Sequence, residues 1–122
     1  MASYSQPNVL TFKAAAALAA YKVVKVGADK LHVAVCSAAT DKSVGICQSV
    51  SEAADDPIEV ALPGGGAKAL LGGGVSSGDL LVPDSDGKLV ASTAPGARYV
   101  AVAMQDGVLN DVIGVQVVVG LI

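Results

Sequence analysis

The stretch Asp79-Leu80-Leu81-Val82-Pro83-Asp84-Ser85-Asp86-Gly87-Lys88-Leu89-Val90-Ala91 reads as two short apolar runs folded back around a turn. Asp86-Gly87 suits a tight primed hairpin turn, in which both central residues must tolerate positive φ. The sequence therefore predicts that the strand ending at Pro83 pairs with Lys88 to Ala91.

The same pattern extends outward in both directions. Upstream, Pro63-Gly64-Gly65-Gly66 and Gly72-Gly73-Gly74 bracket a short strand from Ala67 to Leu71. Ile58-Glu59-Val60-Ala61-Leu62 alternates after the breaker Asp55-Asp56-Pro57. Lys30 to Cys36 also alternates, placing Leu31, Val33 and Val35 on one face, and Ser43 to Cys47 follows across an Ala-Thr-Asp-Lys turn. Tyr21 to Val26 is rich in β-branched residues, and Val9-Leu10-Thr11-Phe12 reads as a first strand. Between them, Lys13 to Ala20 has high helix propensity but is too short for a stable helix, so a connection with one helical turn is expected. Downstream, Tyr99 to Met104 and Asp111 to Val119 supply two closing strands. Strands so short and evenly spaced define an all-β fold, a single compact small barrel or sandwich. The domain is expected over residues 9–122, with residues 1–8 as an extended, polar N-terminal arm containing Pro7.

The last strand carries a second message. Ile113, Val115, Val117 and Val119 form one apolar face, while Val112, Gly114 and Val118 leave the other largely apolar as well. A strand apolar on both sides is covered on both sides, and a neighbouring copy is the natural cover in a small domain. Composition points the same way. Of the 122 residues 52% are apolar, yet there are only three Tyr, one Phe and no Trp. A core of Ala and Val buries little area per residue and gains from burial between subunits. A homo-oligomer, with Val112, Gly114 and Val118 at its interface, is the expectation.

Charge and length exclude several partners. The net charge of −3 comes from acids and bases scattered singly, without the basic stripe or stacking aromatics that a nucleic-acid binder uses. The longest purely apolar run, Ala14 to Ala20, is far short of a membrane span. The opening residues lack the basic start and apolar run of a signal peptide, so synthesis and retention in the cytoplasm are expected.

Candidate chemistry is sparse. Gly64 to Gly74 contains a Gly-rich run and Lys68, but a phosphate loop needs a Ser or Thr after the lysine and a following helix. Asp84-Ser85-Asp86-Gly87 resembles the start of a calcium loop, but the closing glutamate position falls at Pro95. The neighbouring Lys88 lacks the context of a lipoyl-type carrier hairpin. The single histidine, His32, has no local catalytic or metal partners, and a surface or subunit-facing role is expected. Cys36 and Cys47 would face each other across a hairpin centred on Asp41-Lys42, so a bridge is conceivable, although two buried thiols are the default in a reducing compartment. No cofactor, no metal and no enzymatic activity are expected.

The order of motifs from Tyr21 to Ile122 resembles the capsid cement, or decoration, family of tailed bacteriophages. The resembling features are Tyr21 to Asp29, Val44-Gly45-Ile46, Ile58 to Gly65, Gly72 to Asp79, Asp84 to Val90, Ala101-Val102-Ala103 and Asp111 to Val115. The residues before Tyr21 match poorly, and Ala54-Asp55-Asp56-Pro57 replaces an Ala-Gly-Glu-type turn. The resemblance implies a β-rich structural protein, commonly trimeric, on the outside of an assembled phage head and bound to the major capsid protein. In that setting Ser3, Tyr4, Ser5, Gln6, Pro7 and Asn8 are the candidate capsid contacts, with Tyr4 the natural anchor. The alternative class is a small-ligand or carrier β module, lipoyl-like or carbohydrate-binding.

Overall fold

The computed structural model describes residues 9–26 and 32–122. Through them run β1 (Val9–Ala14), β2 (Val23–Val26), β3 (His32–Val35), β4 (Ser43–Cys47), β5 (Pro57–Ala61), β6 (Gly66–Leu70), β7 (Leu80–Pro83), β8 (Leu89–Ala91), β9 (Arg98–Ala103) and β10 (Val112–Leu121). The fold is all-β, with no helix among the described residues. The first half closes into a barrel in the order β1-β3-β2-β4-β5, and the second forms a sheet ordered β6-β10-β9-β7-β8. Closure rests on β1, which lies parallel to β3 and antiparallel to β5, with Val9 opposite Ala61.

The two halves share a wall. On β2 and β4, adjacent residues are buried on opposite faces: Val23, Val24, Ile46 and Cys47 are all fully buried. Val24 and Cys47 pack inside the barrel with Val33, Ile58 and Val60. Val23 and Ile46 face the other way and join Leu81, Leu89, Val100 and Val115 of the sheet. Ala61, Ala69, Ala101 and Ala103 belong to that second cluster, and their small side chains let the layers approach. The rule that a strand apolar on both faces is covered on both faces is thus met by β2 and β4 within one chain. On β10 it is not. Ile113, Val115 and Val117 are buried, but Val112 and Val118 are 44% and 36% exposed.

The β7–β8 hairpin forms with the expected pairing, Val82 opposite Val90 and Pro83 opposite Leu89. Its turn differs from the expected two-residue primed type. Gly87 N donates to Asp84 O (3.1 Å), Asp84 N donates to Lys88 O (2.8 Å), and of the turn residues only Gly87 has positive φ, +76°. This is a three-residue loop, a type I turn followed by a glycine bulge. The cause is Asp84, whose Oδ1 accepts from Asp86 N (2.8 Å) and Lys88 N (3.0 Å) and so fixes the right-handed conformation of the intervening residues.

Two further expectations are corrected. Lys13 to Ala20 holds no helical turn: β1 runs to Ala14, and Leu18 forms a bridge with Ser51. The Ser51 hydroxyl donates to Ala16 O (3.0 Å) and accepts from Leu18 N (3.1 Å), so tertiary partners override alanine's propensity in a run too short to nucleate. Nor do β3 and β4 pair, because β2 lies between them and bonds to both. Asp41 bends the connection by accepting Ser37 N (2.8 Å) and Lys25 Nζ (3.1 Å) at Oδ2. Cys36 and Cys47 are therefore not opposite one another; both are free, buried thiols in different core clusters.

Both edges of the second sheet are covered. On β6, the Gln48 side-chain amide accepts from Lys68 N (3.2 Å) and donates to Lys68 O (3.0 Å), as a neighbouring strand would. Leu70 N donates to Tyr21 O (3.0 Å). At the other edge Leu71, which follows β6, bridges Leu89 of β8, and Gly72 N donates to Leu89 O (2.8 Å).

Candidate interaction surfaces

The outward face of the second sheet collects the predicted interface residues. Strand register places Gly66, Gln116, Val102 and Leu80 in one row across four strands, and Leu70 beside Val112 in another. Residues directly opposite one another share a face, so Val112 and Gly114 lie with Leu70, Leu80 and Val102 on a surface that also carries Lys68 and Gln116, and the part-exposed Val118 follows where the register of β10 shifts. Met104, at the end of β9, is 62% exposed. Gln105 Oε1 accepts from Gly114 N at 3.2 Å, and the Tyr99 ring covers Gly120, where a Cβ would lie 2.3 Å from its hydroxyl oxygen. Sequence reasoning found the β10 members and missed Leu70, Leu80 and Val102. Their signal was present in the alternation of β6, β7 and β9, but it becomes a surface only once strand order is known. Ser3, Tyr4, Ser5, Gln6, Pro7 and Asn8 lie outside the described residues.

The groups that chemistry would need are already committed. Burial, followed by the nearby Asp41 carboxylate, pushes the Cys36 thiol up to about 12, against a weaker opposing effect of Lys25. Burial also raises Cys47, whose Sγ donates to Ala19 O at 3.1 Å. Neither is the exposed thiolate that reactivity requires. His32 is half-buried, and its Nε2 meets Asp55 Oδ1 at 2.5 Å; this hydrogen bond holds the Asp55 carboxyl below its usual range. Lys88 Nζ donates to Asn110 Oδ1 (2.9 Å), so it lies against the adjacent loop. Among the described residues no three His, Cys, Asp or Glu side chains gather as a metal site, and there is no ligand-sized pocket.

The carboxylates that look scattered in sequence are gathered by the fold. Loops 76–79, 84–88 and 104–111 are tied together by Ser77 N to Asp106 Oδ1 (2.8 Å), Gly78 N to Ala103 O (2.8 Å) and Lys88 to Asn110. These bonded loops carry Asp79, Asp84, Asp86, Asp106 and Asp111.

No protein-family model and no curated protein matches the chain. Among solved structures, the N base of head fiber gp8.5 of bacteriophage phi29 matches with a TM-score of 0.72. The fold is shared with a phage head-fibre base. The match covers 90% of this chain and 92% of that one, and at 16% identity the likeness is one of fold.

Proposed function

We propose that this chain is a structural protein of a phage head, carried as a cement or decoration protein on the outside of the assembled shell and self-associated there as a trimer. The observation that carries the reading is the end-to-end fold likeness to the head-fibre base. The apolar outer face around Val112 and Val118 supports self-association, since exposed apolar patches of this kind mark protein contacts. In this reading the N-terminal segment, Ser3 to Asn8, contacts the major capsid protein by pairing with an open strand edge there. No reaction and no cofactor enter this role.

Co-sedimentation tests it directly. The protein should pellet with expanded heads of its own phage that lack it, and sediment alone as a trimer at micromolar concentration. Removal of residues 2–8 should weaken head binding and leave the fold and oligomer intact. A wild-type protein that stays in the supernatant with heads present is incompatible with the reading.

A further inference from the structure

The loop between β9 and β10 is fixed along its whole length. Gly107 and Val75 exchange both backbone bonds (2.9 and 3.1 Å), and Asn110 N and Leu71 N bond to Leu71 O and Asp111 O (2.9 Å each). At the tip Asp111 N closes a β-turn on Val108 O (3.0 Å), while Asp111 Oδ2 accepts Val108 N (3.0 Å). Asn110 takes the left-handed position of that turn at φ +69°, which asparagine tolerates.

On this frame stand Val108 and Leu109, 64% and 58% exposed. Turns ordinarily carry Gly, Pro, Asn, Asp or Ser, each for a conformational reason. A valine and a leucine serve none of those reasons, and here they bury little in their own core. Apolar side chains presented on a rigid backbone have the character of interface anchors, because most of the ordering cost is already met before binding.

The surroundings define what the tip can meet. Segments 71–91 and 103–112 hold five carboxylates and one lysine, a net charge of −4, while the rest of the chain has six acids and seven bases, net +1. Four of the five carboxylates also bond backbone N–H groups of these loops, which fixes where the charge sits: Asp79 to Ser76 N, Asp84 to Asp86 N, Asp106 to Ser77 N and Asp111 to Val108 N. With Asp111 at the tip itself and the other carboxylates on the loops bonded to it, this acidic region repels anionic surfaces and is complementary to lysine and arginine.

We propose, resting on the shell reading above, that the Val108–Leu109 tip is the anchor that seats this protein on the shell, in an apolar depression rimmed by basic side chains. The test uses the full chain with expanded heads of its own phage lacking the protein, and the double variant Val108→Ser/Leu109→Ser. The variant should keep the wild-type melting temperature and oligomeric state and bind heads at least about tenfold more weakly. Wild-type binding should weaken as salt rises from about 50 to about 500 mM, because the rim charges are screened. Equal binding by variant and wild type overturns the anchor, and so does a loss of oligomeric state, which would place the tip against a sister copy. Head binding indifferent to salt overturns the basic rim. Failure of the wild type itself to bind heads removes the shell reading and this inference together.

Discussion

Gly87 carries two constraints at once. Its φ is +76°, and a Cβ there would lie 2.4 Å from Val35 Cγ1 and 3.2 Å from Cys36 O. Its carbonyl also accepts Val23 N at 2.8 Å, joining the β7–β8 turn to the barrel. Gly87→Ala should therefore destabilise by at least about 2 kcal/mol, the sum of backbone strain and overpacking. A urea titration checks this, and Gly87→Val should be worse still, since a β-branched side chain tolerates positive φ least and adds methyls where Cβ already collides. Acid sensitivity is also set at single residues. His32 holds Asp55 below the usual carboxylate range, and the Ser37 N–H, followed by Lys25, does the same to Asp41. A depressed carboxylate contributes stability that is present above its unfolded pKa, near about 4, and is lost as pH falls through the folded value. Melting temperatures should fall between about pH 4 and about pH 2. Asp41→Asn/Asp55→Asn should flatten that decline, with asparagine preserving the positive φ of Asp55.

Among the elements, β6 shows how one side chain can stand in for a strand. Gln48→Ala removes both bonds to Lys68 and should cost about 1–2 kcal/mol. It also bares an edge that native sheets usually keep covered, so the variant should associate in a concentration-dependent way that light scattering detects; an unchanged monodisperse profile would count against the capping role. Nothing in the sequence marks Gln48 for this task, because its partner lies across the barrel–sheet joint. Strand existence was legible almost throughout, since Ile58 to Leu62 or Leu80 to Pro83 announce themselves by apolar character and flanking breakers. Strand order was not. The pairing of β2 with both β3 and β4 depends on a link bent by Asp41, and the two-sided burial of Val23-Val24 and Ile46-Cys47 depends on which layers meet. The candidate surface followed the same division: Val112 and Val118 could be read from parity along one strand, whereas Leu80 and Val102 required the neighbours. The Asp86-Gly87 turn was located correctly and mistyped, because Asp84 lies outside the dipeptide that signals it.

For the whole molecule, the exposed face of β10 is where self-association is to be tested. Val118→Asp places a charge at a position already 36% exposed in the single chain, so the fold should tolerate it, whereas an assembled trimer would have to desolvate it. Sedimentation velocity should show a lower assembly state with a melting curve close to wild type; a trimer unaffected by the charge would move the contact elsewhere. The order of strands has a consequence for how the chain is made. All five barrel strands lie before residue 62, so they emerge from the ribosome before any strand of the second sheet. That sheet cannot form early, because β6 finds its strand partner only in β10, the last stretch to emerge. During the intervening synthesis β6 waits with its inner side unsatisfied, and any product terminated before Val112 would keep that side permanently open. Incomplete copies of this protein would thus be strand acceptors, prone to capture the β10 of an intact sister and draw it out of its own fold.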